Sequence, residues 1–187
     1  MSVFLQPIYT QTVTTGGSSI TFNNIPQTFT DLKVEITGRS FGSSNDNIII
    51  RFNSDSTASH YSNTVLAGYG TGGASPSSGR GAAGTDNYLN PYSPHLPVST
   101  STANTFSSCE LYIPNYAGAN YKQVMIDSVI DTNVAGFSGS GPVGVENAFV
   151  AANWLQTSAI TSIFIGSYAG LAQYSTVSLY GVLRQGV

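Results

Sequence analysis

The sequence predicts an all-β protein: one antiparallel β-sandwich of jelly-roll type spanning 1–187. Apolar and polar residues alternate with period two in segment after segment, and apolar residues at helical spacing are almost missing. Clusters of Gly, Pro, Asn and Ser punctuate these segments roughly every 8–12 residues. Nine or ten short strands at such spacing build a sandwich, because a βαβ fold would need helical stretches between them.

Residues 1–15 precede the turn signal Gly16-Gly17 and carry Phe4, Leu5, Ile8 and Tyr9. They read equally as a first strand or as an N-terminal arm strapped onto a neighbour. A strand over 18–22 ends at Asn23-Asn24 and Ile25-Pro26, since proline offers no ladder donor and restricts the residue before it. Leu32, Val34 and Ile36 then alternate with Lys33, Glu35 and Thr37, and Gly42-Ser43-Ser44-Asn45 turns the chain into a strand over 47–52.

A strand over 64–70 leads into a Gly/Ser-rich stretch, 70–87, expected to be one long flexible loop. Residues 88–97 hold Pro91, Pro94 and Pro97, which restricts them to an edge strand or an extended linker. In 106–113, Cys109 shares a face with Leu111 and Ile113. Past the turns at Pro114-Asn115 and Gly118-Ala119-Asn120, residues 122–131 place Lys122, Val124, Ile126, Ser128 and Ile130 on one face. Gln123, Met125, Asp127, Val129 and Asp131 take the other. After a Gly-rich turn over 136–144 come strands over 146–155, where Val150, Ala152 and Trp154 point inward, and over 161–166 and 175–184. The last has apolar residues on both faces, so it is central or covered by a partner.

Only 8% of residues are charged, against about 25% in an ordinary soluble domain. Six basic and nine acidic residues give a net charge of −3 with no run of either sign, which excludes the electrostatic footprint of a nucleic-acid binder. Cys109 is the single cysteine, so no intramolecular disulfide or multi-cysteine zinc site is available, and synthesis in a reducing cytoplasm is expected. The first residues lack the pattern of a secretory signal, and no run approaches the roughly 20 apolar residues of a membrane span.

Acid–base chemistry has little to draw on. His60 lies near Asp55, Ser54, Ser56 and Ser59, but clustering in a Ser-rich turn does not make a triad, and a solvated turn is the expectation. Asp127 and Asp131 share a strand face about 13 Å apart, too far for paired glycosidase carboxylates at roughly 5–9.5 Å. The glycines of 73–81 are not spaced as a phosphate loop, and no lysine follows. Asn45-Asp46-Asn47 and Asn53-Ser54-Asp55 fit turns and not a twelve-residue calcium loop. No catalytic residue, metal or cofactor is therefore expected.

The 11 tyrosines offer more. Rings in or beside loops, among them Tyr61 and Tyr121, supply contact area at low entropic cost to a protein partner or a glycan. Candidate contact residues are Phe4, Leu5, Tyr9, Tyr69, Tyr88, Tyr92 and Tyr116. A surface of hydroxyls and amides suits permanently buried interfaces, since such groups cost less to desolvate than ions.

Ser19-Ile20-Thr21-Phe22-Asn23-Asn24-Ile25-Pro26, continuing through Val34, together with Ile48-Ile49-Ile50-Arg51-Phe52-Asn53, Tyr61 and the ending Ser175-Thr176-Val177-Ser178-Leu179-Tyr180-Gly181-Val182, resembles small jelly-roll virion proteins of tailed bacteriophages. The resemblance runs from Ile20 to Val182 and implies no catalytic residues. It implies a virion structural protein made in the host cytoplasm, most readily a capsid decoration or cement protein that binds the shell as a homo-oligomer such as a trimer. Its partners would be the major capsid protein or tail proteins. The alternative is a tail-associated module that binds a receptor or host glycan.

Overall fold

The computed structural model describes residues 3–70, 74–81, 88–89, 95–132 and 145–184. It contains twelve strands: β1 (Val3–Thr12), β2 (Ile20–Phe22), β3 (Asp31–Gly38), β4 (Asp46–Phe52), β5 (Tyr61–Gly70), β6 (Ala74–Gly81), β7 (His95–Leu96), β8 (Ser107–Pro114), β9 (Lys122–Asp131), β10 (Val145–Trp154), β11 (Ile163–Ser167) and β12 (Thr176–Arg184). An eight-stranded sheet, ordered β1-β12-β3-β8-β9-β10-β5-β6, packs against a four-stranded one, β2-β11-β4-β7. Every pairing between these strands is antiparallel.

From β2 onward the chain passes between the sheets in the alternation of a jelly roll: small, large, small, large, large, small, large, small. The seventh place is taken by the meander β8–β9–β10, and β12 with β1 widens the large sheet beyond β3. The nine strands read from periodicity are all present, because each alternates against a real interior. In β9 the pattern is complete, with Lys122, Val124, Ile126, Ser128 and Ile130 buried and the intervening residues exposed. The last strand is covered as its two apolar faces require, lying between β1 and β3.

Ile20, Ile50, Phe52, Ile163 and Ile165 of the small sheet meet Leu32, Val34, Leu111, Ile126, Val150 and Trp154 of the large one. Trp154 packs on Phe52 with ring centroids 5.6 Å apart. Gly181 makes room for Phe29, whose ring carbons would lie 2.3–2.4 Å from a Cβ at that position.

One expectation changes, and one open alternative is decided. Residues 70–87 are not one loop, since β6 forms within them and pairs with β5 from Asn63↔Gly81 to Gly70↔Ala74. A Gly/Ser stretch has no period to announce a strand, and at an edge the backbone ladder supplies the order that side chains do not. Residues 1–15 contain the edge strand β1, paired with β12 from Val3↔Arg184 to Thr12↔Thr176. Its register shifts between Pro7 and Tyr9, at the bulge that turns Ile8 toward the core. Residues 88–97 supply a bridge at Leu89 to Ile50 and the two-residue strand β7, in keeping with an edge position.

A methyl group at Gly181 must displace the Phe29 ring. Gly181→Ala is therefore expected to destabilise the fold by about 1–3 kcal/mol, read as a lower urea midpoint at unchanged slope.

Candidate functional site

The ionisable groups that sequence patterns brought into question act as clamps on the scaffold. Asn53 and Ser54, both with positive φ, reverse the chain after β4 and carry Asp55 back onto β10. There Asp55 Oδ2 accepts from Trp154 Nε1 at 2.8 Å and lies 2.7 Å from His60 Nδ1, while Oδ1 accepts from the Thr57 amide. Burial opposes ionisation of Asp55, but the bonds from Trp154, Thr57 and His60 outweigh it and bring its carboxyl down to about 2. This turn is thus a built clamp and not the solvated bend expected. Among the described residues no serine hydroxyl is bonded to His60, so an acid–imidazole pair exists without a nucleophile.

The second histidine is held in the same way. His95 Nδ1 lies 2.7 Å from Oε2 of Glu146, which is 1% exposed, and ties β7 to β10 across the sandwich. Asp46 accepts from Ser40 Oγ and from the amides of Asn47, Tyr168 and Ala169, joining the loops 39–45 and 168–175 at the start of β4. Lys122 is fully buried, its ammonium donating to the carbonyls of Gly118, Asn120 and Thr157, with a pKa lowered by desolvation. Burial likewise pushes the Cys109 thiol far up, as befits an inert small hydrophobe. No group of three or more His, Cys, Asp or Glu that could hold a metal occurs among the described residues.

The candidate contact residues separate into different settings. Phe4 and Leu5 are more than half exposed on β1, where Phe4 pairs with Leu183 beyond the cover of the small sheet. Tyr9 stacks on Phe22 at 5.5 Å and closes that edge. Tyr88 meets Tyr168 edge-on and lies beneath the Arg51 guanidinium on the outer face of the small sheet. Tyr69 is the penultimate residue of β5, paired with Glu146, and Tyr92 lies outside the described residues. Tyr116 is corrected: it is fully buried, and its hydroxyl donates to the Pro26 carbonyl. Its loop folds inward because an amphipathic ring gains more by filling the core while its hydroxyl finds a carbonyl. Tyr61 is buried too, its hydroxyl donating to the Asp55 carbonyl.

The strongest surface feature is one that alternation marked only in part. On the outer face of the large sheet, Phe149 of β10 sits opposite Leu66 of β5 on one side and Asp127 of β9 on the other. Met125 and Val129 flank Asp127 two residues either way, so they are the diagonal neighbours of Phe149, about 7–8 Å off. All four apolar side chains are exposed, at 47–59%. Beside them the same rung continues Asp127↔Glu110↔Glu35. Lys33 Nζ bridges Glu35 at 2.9 Å and Glu110 at 3.0 Å, and chiefly the Glu35 bond raises its pKa. Glu110 and Asp127 therefore face each other across strands, where Asp127 and Asp131 could not, but on an open surface.

No protein-family model matches this chain, and searches of curated proteins and of solved structures return no match.

The Asp55 clamp fixes the sign of one pH effect. A carboxyl held lower in the folded chain than the usual ~3.9 stabilises fully above that value and loses its contribution as pH falls through about 2. The urea midpoint is expected to drop between about pH 4 and pH 2. In Asp55→Asn, which is less stable at neutral pH, that drop should be shallower.

Proposed function

We propose that this chain is a structural protein of a tailed-bacteriophage virion, a jelly-roll subunit that oligomerises and binds the shell as a capsid decoration or cement protein. The exposed cluster Leu66, Met125, Val129 and Phe149 carries the reading. Exposed apolar side chains grouped around Asp127, beside the ion cluster of Lys33, Glu35 and Glu110, make a place for a protein partner. That both histidines and Asp46 are bound up in scaffolding supports a reading of assembly over turnover.

The strand edges point association toward the face. Pro7 lies in β1 and Pro76 in β6, the two edge strands of the large sheet, and the small sheet ends in β2 and β7 of three and two residues. Proline and short edges both discourage strand addition.

Magnitudes support many contacts over one. Burying a half-exposed apolar side chain gains about 1 kcal/mol, so two such faces together gain roughly 8 kcal/mol. Association itself costs an estimated 4–15 kcal/mol. A single pairing is marginal, whereas an oligomer seated on a repeating shell adds the gain at every site.

Sedimentation of the intact chain is expected to show an oligomer, and Phe149→Asp a monomer with a nearly unchanged melting temperature. A wild-type chain that stays monomeric at all concentrations, or an oligomer indifferent to Phe149→Asp, would overturn the assembly face. In a density map of the particle, many copies on the shell support the cement role. A handful at the tail would replace it with the receptor-binding alternative.

A further inference from the structure

Four loops meet at one end of the sandwich: 13–19, 39–45, 97–106 and 168–175. Backbone bonds stitch them together, with Gly17 N to Leu171 O, Phe41 N to Gly170 O, Ala172 N to Arg39 O and Tyr174 N to Val13 O, all 2.7–2.9 Å. Between them opens a cleft of about 400 Å³ lined by Phe41, Phe106 and Tyr174 together with Asn104 and Gln173. That volume is within the range of small-ligand sites, roughly 300–1,000 Å³.

The rings are presented, not merely left over. Phe41, 57% exposed, lies on Gly16, where a Cβ would come within 2.5 Å of the ring. Tyr174 is 69% exposed and has φ +72, a left-handed conformation that a tyrosine adopts only at a cost. Its amide bond to Val13 O and the return bond from Val13 N to Ser175 O hold it there. Asn104, at φ +62, presents its amide from the opposite loop.

The charge in the wall is already spent. Arg39 directs its guanidinium to the carbonyls of Thr102, Thr105, Val98 and Ser101 and to the Thr105 hydroxyl. It fastens the loop and offers no anchor for an anion. The side chains of Asn104, Gln173 and Tyr174 line the cleft and have no hydrogen-bond partner among the described residues.

From these observations we propose that the cleft binds an uncharged saccharide. Aromatic rings take the C–H faces of the sugar, and the two amides and the Tyr174 hydroxyl take its hydroxyl groups. The site is independent of the assembly face, which lies on the outer surface of the large sheet.

An array of neutral and uronate-bearing bacterial surface oligosaccharides, probed with the intact chain, tests this, followed by titration of the best neutral oligosaccharide. Saturable binding is expected, at least tenfold weaker for a uronate-bearing counterpart. Tyr174→Gly removes the ring at a backbone angle that glycine accepts freely. It should lose binding by tenfold or more with the melting temperature unchanged or raised. Asn104→Gly, equally compatible with its backbone, should weaken binding severalfold, and Phe149→Asp should leave binding per protomer unchanged. Absence of any saturable neutral oligosaccharide, preference for the uronate-bearing ones, or full binding by Tyr174→Gly would each overturn the proposal.

Discussion

Two sheets of unequal width have to share one interior. At about 4.8 Å per strand, a four-stranded sheet spans roughly 19 Å and an eight-stranded one roughly 38 Å. The small sheet seals the middle of the large one, where Phe52 meets Trp154, and cannot reach its margins. Phe4 and Leu183 at the β1 margin are exposed for this reason, although their phase along the strands is that of core residues. Tyr9, one bulge further along, still reaches Phe22 and marks where the cover ends.

With so few charges, the chain uses them where one ion can order a stretch of backbone. Arg39 gathers the loop before β8, Lys122 the turn that precedes it, and Asp46 and Asp55 the turns on either side of β4. Each has several polar partners, which is the condition under which a buried ion does not cost more than it returns. In the turn after β4 the acid and the imidazole close on the scaffold: Asp55 holds Trp154, the Thr57 amide and His60.

The core was legible where alternation is strict, as in β9 and β10 at Val124, Ile126, Val150 and Trp154. What lay beyond reading were features with no period. β6 is Gly, Ser and Pro held by a neighbour's backbone, and β7 is two residues long. Tyr116 was assigned to a surface because it follows a turn, yet the turn folds back over the core. The cleft rings Phe41 and Tyr174 sit in loops without alternation, and a tyrosine at positive φ has no sequence signature. Gly16-Gly17 was visible as a turn, but its use as a bed for Phe41 requires the fold.

The position of β12 between β1 and β3 bears on how the molecule is made. Among the described strands β1 pairs with β12 alone, so β1 waits while all the strands between them in sequence are made, on the order of ten seconds or more. Through that interval the β3 flank that β12 will occupy stands open to any passing chain. A chaperone that shields this flank until β12 is made would raise the yield of native protein, whatever the stability of the finished sandwich.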